Sequence, residues 1–311
     1  MYAGAYNLTG KLPPQSRLHN DQYLIVDTVG QGGMGAVYEA VDITSQPKRR
    51  VAIKEMSQSQ LKTSKEMDDA RRRFKGEANM LRALDHPNLP HVYDSFEERG
   101  RSYLVMEFIE GRTLLQLLQA FNGRPLPLEH VLNYACQLCS VLDYLHRQYP
   151  SIIFRDLKPS NVMVTADGRL YLIDFGIARF FKDGQSKDTQ SFVTKGYAPP
   201  EQYQGTTSQR SDLFSLGATL HTCLTARNPL SNVPTLFDFP PLCQFVPYAP
   251  KDLERLLQRL LDFKESRRPA SAEEVRQELV NIIKQSQDLT VRFAQISPFP
   301  LEPTLSVTQS K

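Results

Sequence analysis

The chain has 311 residues, 41% hydrophobic and 23% charged, which suffices for a buried core in one large domain or two packed lobes. A net charge of +3, with acidic and basic residues mixed, argues against a nucleic-acid surface. Four cysteines and no secretory signal give no disulfide framework and suggest a reduced, cytoplasmic setting. No run of about 18 apolar residues is present to span a membrane, although a tether beyond Lys311 is compatible with the sequence.

Residues 1–20 are polar and carry Pro13-Pro14, which reads as a flexible extension. From Tyr23 the pattern turns to short β-rich pieces. Residues 23–29 and 36–41 flank a glycine cluster, 49–56 follow, and 102–109 come later. Lys48-Arg49-Arg50 reads as a solvated loop. A polar-faced helix is predicted over 64–84, stopped where Pro87 blocks continuation. After Gly111 the spacing becomes helical, over 128–147, 211–226 and 252–263. The last carries Leu253, Leu256, Leu257, Leu260 and Leu261 on one stripe. Cys136 and Cys139 fall on the apolar face of the first of these and read as core rather than metal ligands. Ser271, with Glu274 three residues on, opens a final helix as a capping box. Residues 286–311 form a Pro/Ser/Thr-rich tail.

Three segments carry chemistry. Val29 leads into Gly30-Gln31-Gly32-Gly33-Met34-Gly35 and Val37, where missing Cβ atoms would let backbone N–H groups approach phosphate oxygens. By itself this run fits a plain hairpin equally well; the strand after it, rather than a helix, argues against a dinucleotide site. Lys54 closes the strand Val51-Ala52-Ile53, either as a fixed cation with Glu77 as a candidate partner or as a surface lysine. Arg155-Asp156-Leu157-Lys158-Pro159-Ser160-Asn161, followed eighteen residues after Asp156 by Asp174-Phe175-Gly176, sets carboxylates, an amide and a lysine in loops framed by apolar strands. Such loops can present one carboxylate to a hydroxyl and another, with the amide, to Mg²⁺.

Together, and in this order, these segments resemble eukaryotic-like (Hanks-type) serine/threonine protein kinases, in particular bacterial members, over residues 21–285. The resemblance implies an α+β, two-lobed fold. A β-rich N-lobe with one long helix would span 21–109 and a mainly helical C-lobe 110–285. It implies ATP with Mg²⁺, or Mn²⁺ in its place, and protein substrates bearing Ser or Thr. It also allows pairing through the β-rich lobes. By the same resemblance the loop from Val29 to Val37 covers the ATP phosphates, and Lys54 contacts them while paired to Glu77. Ala52, Val37 and Met163 sandwich adenine, Met106 is the gatekeeper, and Glu107 and Ile109 offer backbone bonds to the base. Asp156 would take or orient the hydroxyl proton, Lys158 neutralise the transferring group, and Asn161 and Asp174 hold the metal.

Further expectations attach to single residues. Glu201 should pair with Arg268, and Asp212 should anchor the Asp156 loop. Phe154 stands where the family usually has histidine and should pack with Leu81, Val92 and Phe175. Lys158 and Thr194 fit serine/threonine rather than tyrosine specificity. Ser186, Thr189 and Ser191 are candidate autophosphorylation sites. The alternatives are an ATP-binding signalling scaffold without transfer, disfavoured by the presence of Lys54, Asp156 and Asp174, and a small-molecule kinase, disfavoured by the segments around Glu201 and Asp212.

Overall fold

The computed structural model describes residues 12–32, 35–56, 64–174, 194–229 and 237–285. They fall into two compact units. The first runs to Ile109 and includes Asp174; the second takes Glu110 to Ile173 and the residues from Thr194 on.

The first unit is built on a six-stranded antiparallel sheet of order β1-β2-β3-β4-β6-β5. Its strands are β1 (Arg17–Leu18), β2 (Tyr23–Gly32), β3 (Gly35–Asp42), β4 (Arg49–Met56), β5 (Val92–Glu98) and β6 (Arg101–Glu107). Period-two alternation puts Ala36, Tyr38 and Ala40 of β3 and Val51 and Ile53 of β4 into the core. These pack with Tyr23, Ile25, Phe96, Tyr103 and Val105 in one cluster that also contains Leu12 and Leu18. Residues 12–20, expected to be a flexible extension, are therefore built into the sheet. Leu12 and Leu18 are buried, and Gln15 N–H donates to Ile25 O at 2.8 Å while Ile25 N–H donates to Ser16 O at 2.9 Å. The helix α1 (Ser64–Arg82) packs on β5 and β6. Arg49 and Arg50, expected in a loop, open β4. Each lays its guanidinium over a ring, Tyr93 and Phe108 respectively, and Arg50 Nε also donates to Glu39 at 3.0 Å.

The second unit is mainly helical. Beside the small sheet β7 (Gly111–Thr113), β8 (Val162–Thr165) and β9 (Leu170–Leu172) lie α2 (Leu114–Ala120), α3 (Leu128–His146), α4 (Pro200–Tyr203), α5 (Gln209–Thr225), α6 (Lys251–Leu260) and α7 (Ala272–Gln285). Ser208 caps α5 in a capping box with Ser211, and α5 is then buried from Ser211 to Thr225. Gly217 makes its close approach to α6 feasible, since a Cβ there would sit 2.8 Å from Leu260 Cβ. The stripe of α6 buries Leu253, Leu256, Leu257 and Leu260. At α7 the expected capping box is modified. Ser271 Oγ accepts from Glu274 N–H at 3.1 Å, but the Glu274 carboxylate reaches back to Ala270 N–H at 2.8 Å. Cys139 is buried and Cys136 half-buried on α3, and burial pushes both thiols upward, away from thiolate character. No described helix is long and apolar enough to cross a membrane.

Candidate active site

In the first unit the described glycines of the run lie at the facing ends of β2 and β3, with Gly32 in register with Gly35 and Gly30 with Val37. Gly33 and Met34 lie outside the described residues. Two register shifts in β2 bulge the strand and leave Val29, 59% exposed, and Gln31 facing outward. Gly35 has φ +132°, a conformation open to glycine alone, and a Cβ on Gly30 would meet nothing within 4 Å. The backbone at Gly30 thus borders open space, as a phosphate cradle requires.

β4 carries Lys54, which is buried and in register with Val37 on one side and Leu104 on the other. Ala52 is paired with Met106, so the small and the flexible apolar residue expected around a base are cross-strand neighbours. Ile109 is buried. Glu107 N–H donates to His91 O at 2.8 Å, so any bond it makes to a base runs through its carbonyl oxygen. The ion pair formed by Lys54 is with Asp174, not the expected one with Glu77, which sits half-buried in α1. Asp174 adopts φ +66°, a left-handed conformation in which this loop residue brings its carboxylate onto the lysine.

In the second unit the Asp156 loop is held from below by one buried carboxylate. Asp212 accepts from Phe154 N–H (2.8 Å), Arg155 N–H (2.8 Å) and His146 Nε2 (2.8 Å), and it is wholly buried. Two consecutive amides can face one carboxylate because Arg155 takes φ +68°. Gln202 Nε2 donates to Arg155 O at 2.9 Å, a further tie from α4.

Above this anchor, Asp156 is buried and surrounded by donors. Thr194 Oγ1 donates to its Oδ1 at 2.6 Å, and Lys158 Nζ and Asn161 Nδ2 each reach Oδ2 at 3.1 Å. Asn161 Nδ2 also donates to Asp156 O at 2.9 Å, and Lys158 Nζ also reaches Thr194 Oγ1 at 3.1 Å. With its nitrogen directed at Asp156, Asn161 presents Oδ1, met by Ser160 Oγ at 3.4 Å, as an oxygen donor of the kind hard divalent cations take. No group of three or more metal-ligating His, Cys, Asp or Glu occurs among the described residues. A single amide oxygen of this kind suits Mg²⁺, which keeps water and phosphate oxygens in most of its shell. Met163 lies half-buried on β8, in register with Tyr171.

The brace around Glu201 is equally explicit. Arg268, almost fully buried, makes a bidentate pair with it at 2.6 and 3.0 Å while also donating to Asp262 O and Arg210 O. Burial raises the Glu201 carboxyl pKa, but the bonds from Arg268 and Ser211 outweigh that and hold it below the usual range. Leu81 and Val92 are buried in the first unit and Phe154 in the second. Phe175, Ser186, Thr189 and Ser191 lie outside the described residues.

Sequence reasoning missed His146 and Gln202 and gave Thr194 a role in specificity but no bond to Asp156. His146 ends an apolar-periodic helix, and nothing in that periodicity distinguishes a core histidine from one facing a carboxylate.

Residues 23–280 match the family model described as protein kinase domain. The chain is 36% identical over 210 residues to the serine/threonine-protein kinase PrkC of Bacillus subtilis, covering 67% of this chain and 31% of that protein. It is 35% identical over 216 residues to the probable serine/threonine-protein kinase PknB of Lactococcus lactis, covering 68% and 33%. The chain thus spans about a third of the length of these relatives. Among solved structures, the PknI kinase domain of Mycobacterium tuberculosis is similar with a TM-score of 0.69 at 25% identity, over 88% of this chain and 99% of that one.

Proposed function

The chain belongs to the protein kinase family, and from that premise we propose that it transfers the γ-phosphate of ATP to serine or threonine hydroxyls of proteins. The observation that carries this reading is the ring of donors around Asp156. A carboxylate that must accept a hydroxyl proton is fixed by Thr194, Lys158 and Asn161, and its loop is fixed by Asp212.

Phosphoryl transfer needs positioning and charge more than covalent chemistry. Lys54 supplies a buried cation for phosphate oxygens on the strand next to the glycine run, and its release from Asp174 would accompany nucleotide binding. Asn161 Oδ1 and the Asp174 carboxylate are the groups that would hold Mg²⁺, which when bound neutralises charge on the phosphates. Asp156 orients the attacking hydroxyl and receives its proton. Lys158, 3.1 Å from that carboxylate, places a positive charge beside the transferring group. Thr194, bonded to both, defines the floor on which a serine or threonine hydroxyl would lie. Autophosphorylation at Ser186, Thr189 or Ser191 belongs to the same proposal; phosphopeptide mapping after incubation with ATP checks it.

The test of the main reading is labelled ATP with Mg²⁺ and a generic protein substrate, followed by phosphoamino-acid analysis. Label on serine or threonine that falls by roughly a thousandfold in Asp156→Asn is expected. ATP binding without transfer in the unaltered chain would replace this reading with that of an ATP-binding scaffold.

A further inference from the structure

Residues 12–22 do more than extend the sheet. β1 pairs with β2 at one edge, Arg17 with Leu24 and Leu18 with Tyr23. At its end the segment reaches the opposite edge strand, β5. His19 N–H donates to Glu98 at 2.7 Å, and the His19 ring stacks on Phe96 with centroids 4.4 Å apart. The segment therefore straps the two edges of the curled sheet together. The turn that does so places His19, Asn20 and Asp21 in succession at φ +54°, +53° and +66°. A run of three left-handed residues is unfavourable for L-amino acids, even of the types that best tolerate it, and persists where surrounding contacts hold it.

The strap makes two polar connections inward. Leu12 N–H donates to Tyr38 Oη at 3.4 Å, Tyr38 Oη donates to Glu55 at 2.8 Å, and Arg101 closes the other Glu55 oxygen at 2.6 Å. Glu55 is wholly buried and is the residue next to Lys54 on β4. Adjacent strand residues point to opposite faces, so clamping Glu55 sets the roll of the strand that presents Lys54. The second connection runs through Asp94, which lies between His19 Nε2 at 3.6 Å and Arg82 Nη2 at 3.1 Å. Arg82 ends α1, the helix that carries Glu77. A second tie from the same helix, Arg71 to Glu97 at 3.3 Å, lands on the same strand.

The geometry points to residues 12–22 as a positioning strap whose contacts through Tyr38–Glu55 and through His19–Asp94–Arg82 fix β4 and α1, and with them Lys54 and Glu77, for nucleotide binding. The strap's stated purpose rests on the proposed kinase reading; its mechanical coupling does not.

Full-length Tyr38→Phe and His19→Ala variants separate these two parts, using hydrogen exchange together with the affinity and steady-state constants for Mg-ATP. Tyr38→Phe keeps the ring and should fold. Expected are faster amide exchange over 51–56 and a KM for ATP raised about fivefold, with kcat within about twofold. His19→Ala should speed exchange at the end of α1, residues 74–82, and raise that KM about threefold. Exchange changes confined to residues 12–25, with KM for ATP unmoved in both variants, would overturn the inference. If the unaltered chain bound no ATP while His19→Ala still altered exchange over 74–82, the coupling would be upheld and the kinase reading lost.

Discussion

Among the described residues each unit holds one wholly buried carboxylate, and the two are satisfied in different ways. Asp212 in the helical unit is met by two backbone amides and one imidazole, whereas Glu55 in the β unit is met by a tyrosine hydroxyl and an arginine. Backbone donors cannot be exchanged by mutation, so Asp212 defines where a loop runs whatever the loop's side chains are. Side-chain donors can be exchanged as a set, so Glu55 defines how a strand is oriented only while Tyr38 and Arg101 remain. The first carboxylate fixes a loop of the helical unit, and the second fixes the roll of a strand in the β unit.

The largest effect should therefore follow loss of the first carboxylate. Asp212→Ala leaves Phe154 and Arg155 N–H groups buried without their acceptor and should cost about 4 kcal/mol in urea unfolding, together with most of the transfer activity. Asp212→Asn keeps one oxygen and should cost less. A stability loss under about 1 kcal/mol for Asp212→Ala would break the contrast, because it would mean that the loop holds itself.

Glu55 sharpens the comparison. Glu55→Met alone removes the buried carboxylate that faces both Arg101 and Tyr38 and should destabilise by about 3 kcal/mol. The pair Glu55→Met with Arg101→Met should recover most of that, since buried ion pairs are often replaceable by apolar residues of similar volume. No such double change exists for Asp212, whose partners include the main chain. A double-mutant cycle measures this directly, and a Glu55/Arg101 double variant no better than the single would put Glu55 in the same class as Asp212.

How much of this was legible in the sequence follows the same division. The segments that carry the glycines, Lys54, Asp156, Asn161 and Asp174 could be singled out by residue type and spacing along short loops, while the roles expected of these residues came from the resemblance. Glu201 with Arg268 and Asp212 with its loop came only through family resemblance, since their partners lie many residues away. The strap at 12–22 was invisible for a different reason. A two-residue strand next to Pro13-Pro14 has no periodicity, and its stability comes from Phe96, Glu98 and Tyr38, which are distant in sequence. The partner of Lys54 was misjudged because choosing between Glu77 and Asp174 depends on where α1 and the Asp174 turn stand, which no motif encodes.

Packing gives an intermediate effect within the helical unit. Gly217→Ala would put a Cβ 2.8 Å from Leu260 Cβ and 3.2 Å from Leu261 Cγ, both side-chain atoms of a packed helix. An overpacking cost of about 2 kcal/mol is expected in thermal or urea unfolding, with the helix content unchanged by circular dichroism. A neutral result would show that α6 can shift away from α5 without loss.

An effect of similar size concerns acid. Glu201 has its folded pKa held below the ordinary value of 4.5, so its pairing contributes stability that is fully present above that value and is lost as pH falls through the folded pKa. Glu273 is shifted the same way, to about 2, by its bonds to Arg276 and Gln277. That pair, however, lies at the surface, with side chains 25% and 40% exposed, where solvent screens most of its worth. Unfolding measured from pH 6 to pH 3 should accordingly lose slope in Glu201→Gln and keep it in Glu273→Gln. Glu201→Gln should also lower stability at pH 7 by about 2 kcal/mol, because Arg268 stays buried. If instead Glu273→Gln flattened the acid limb, an exposed pair on α7 would be outweighing the buried one that joins Glu201 to Arg268, and burial would not be what separates strong carboxylate anchors from weak ones in this protein.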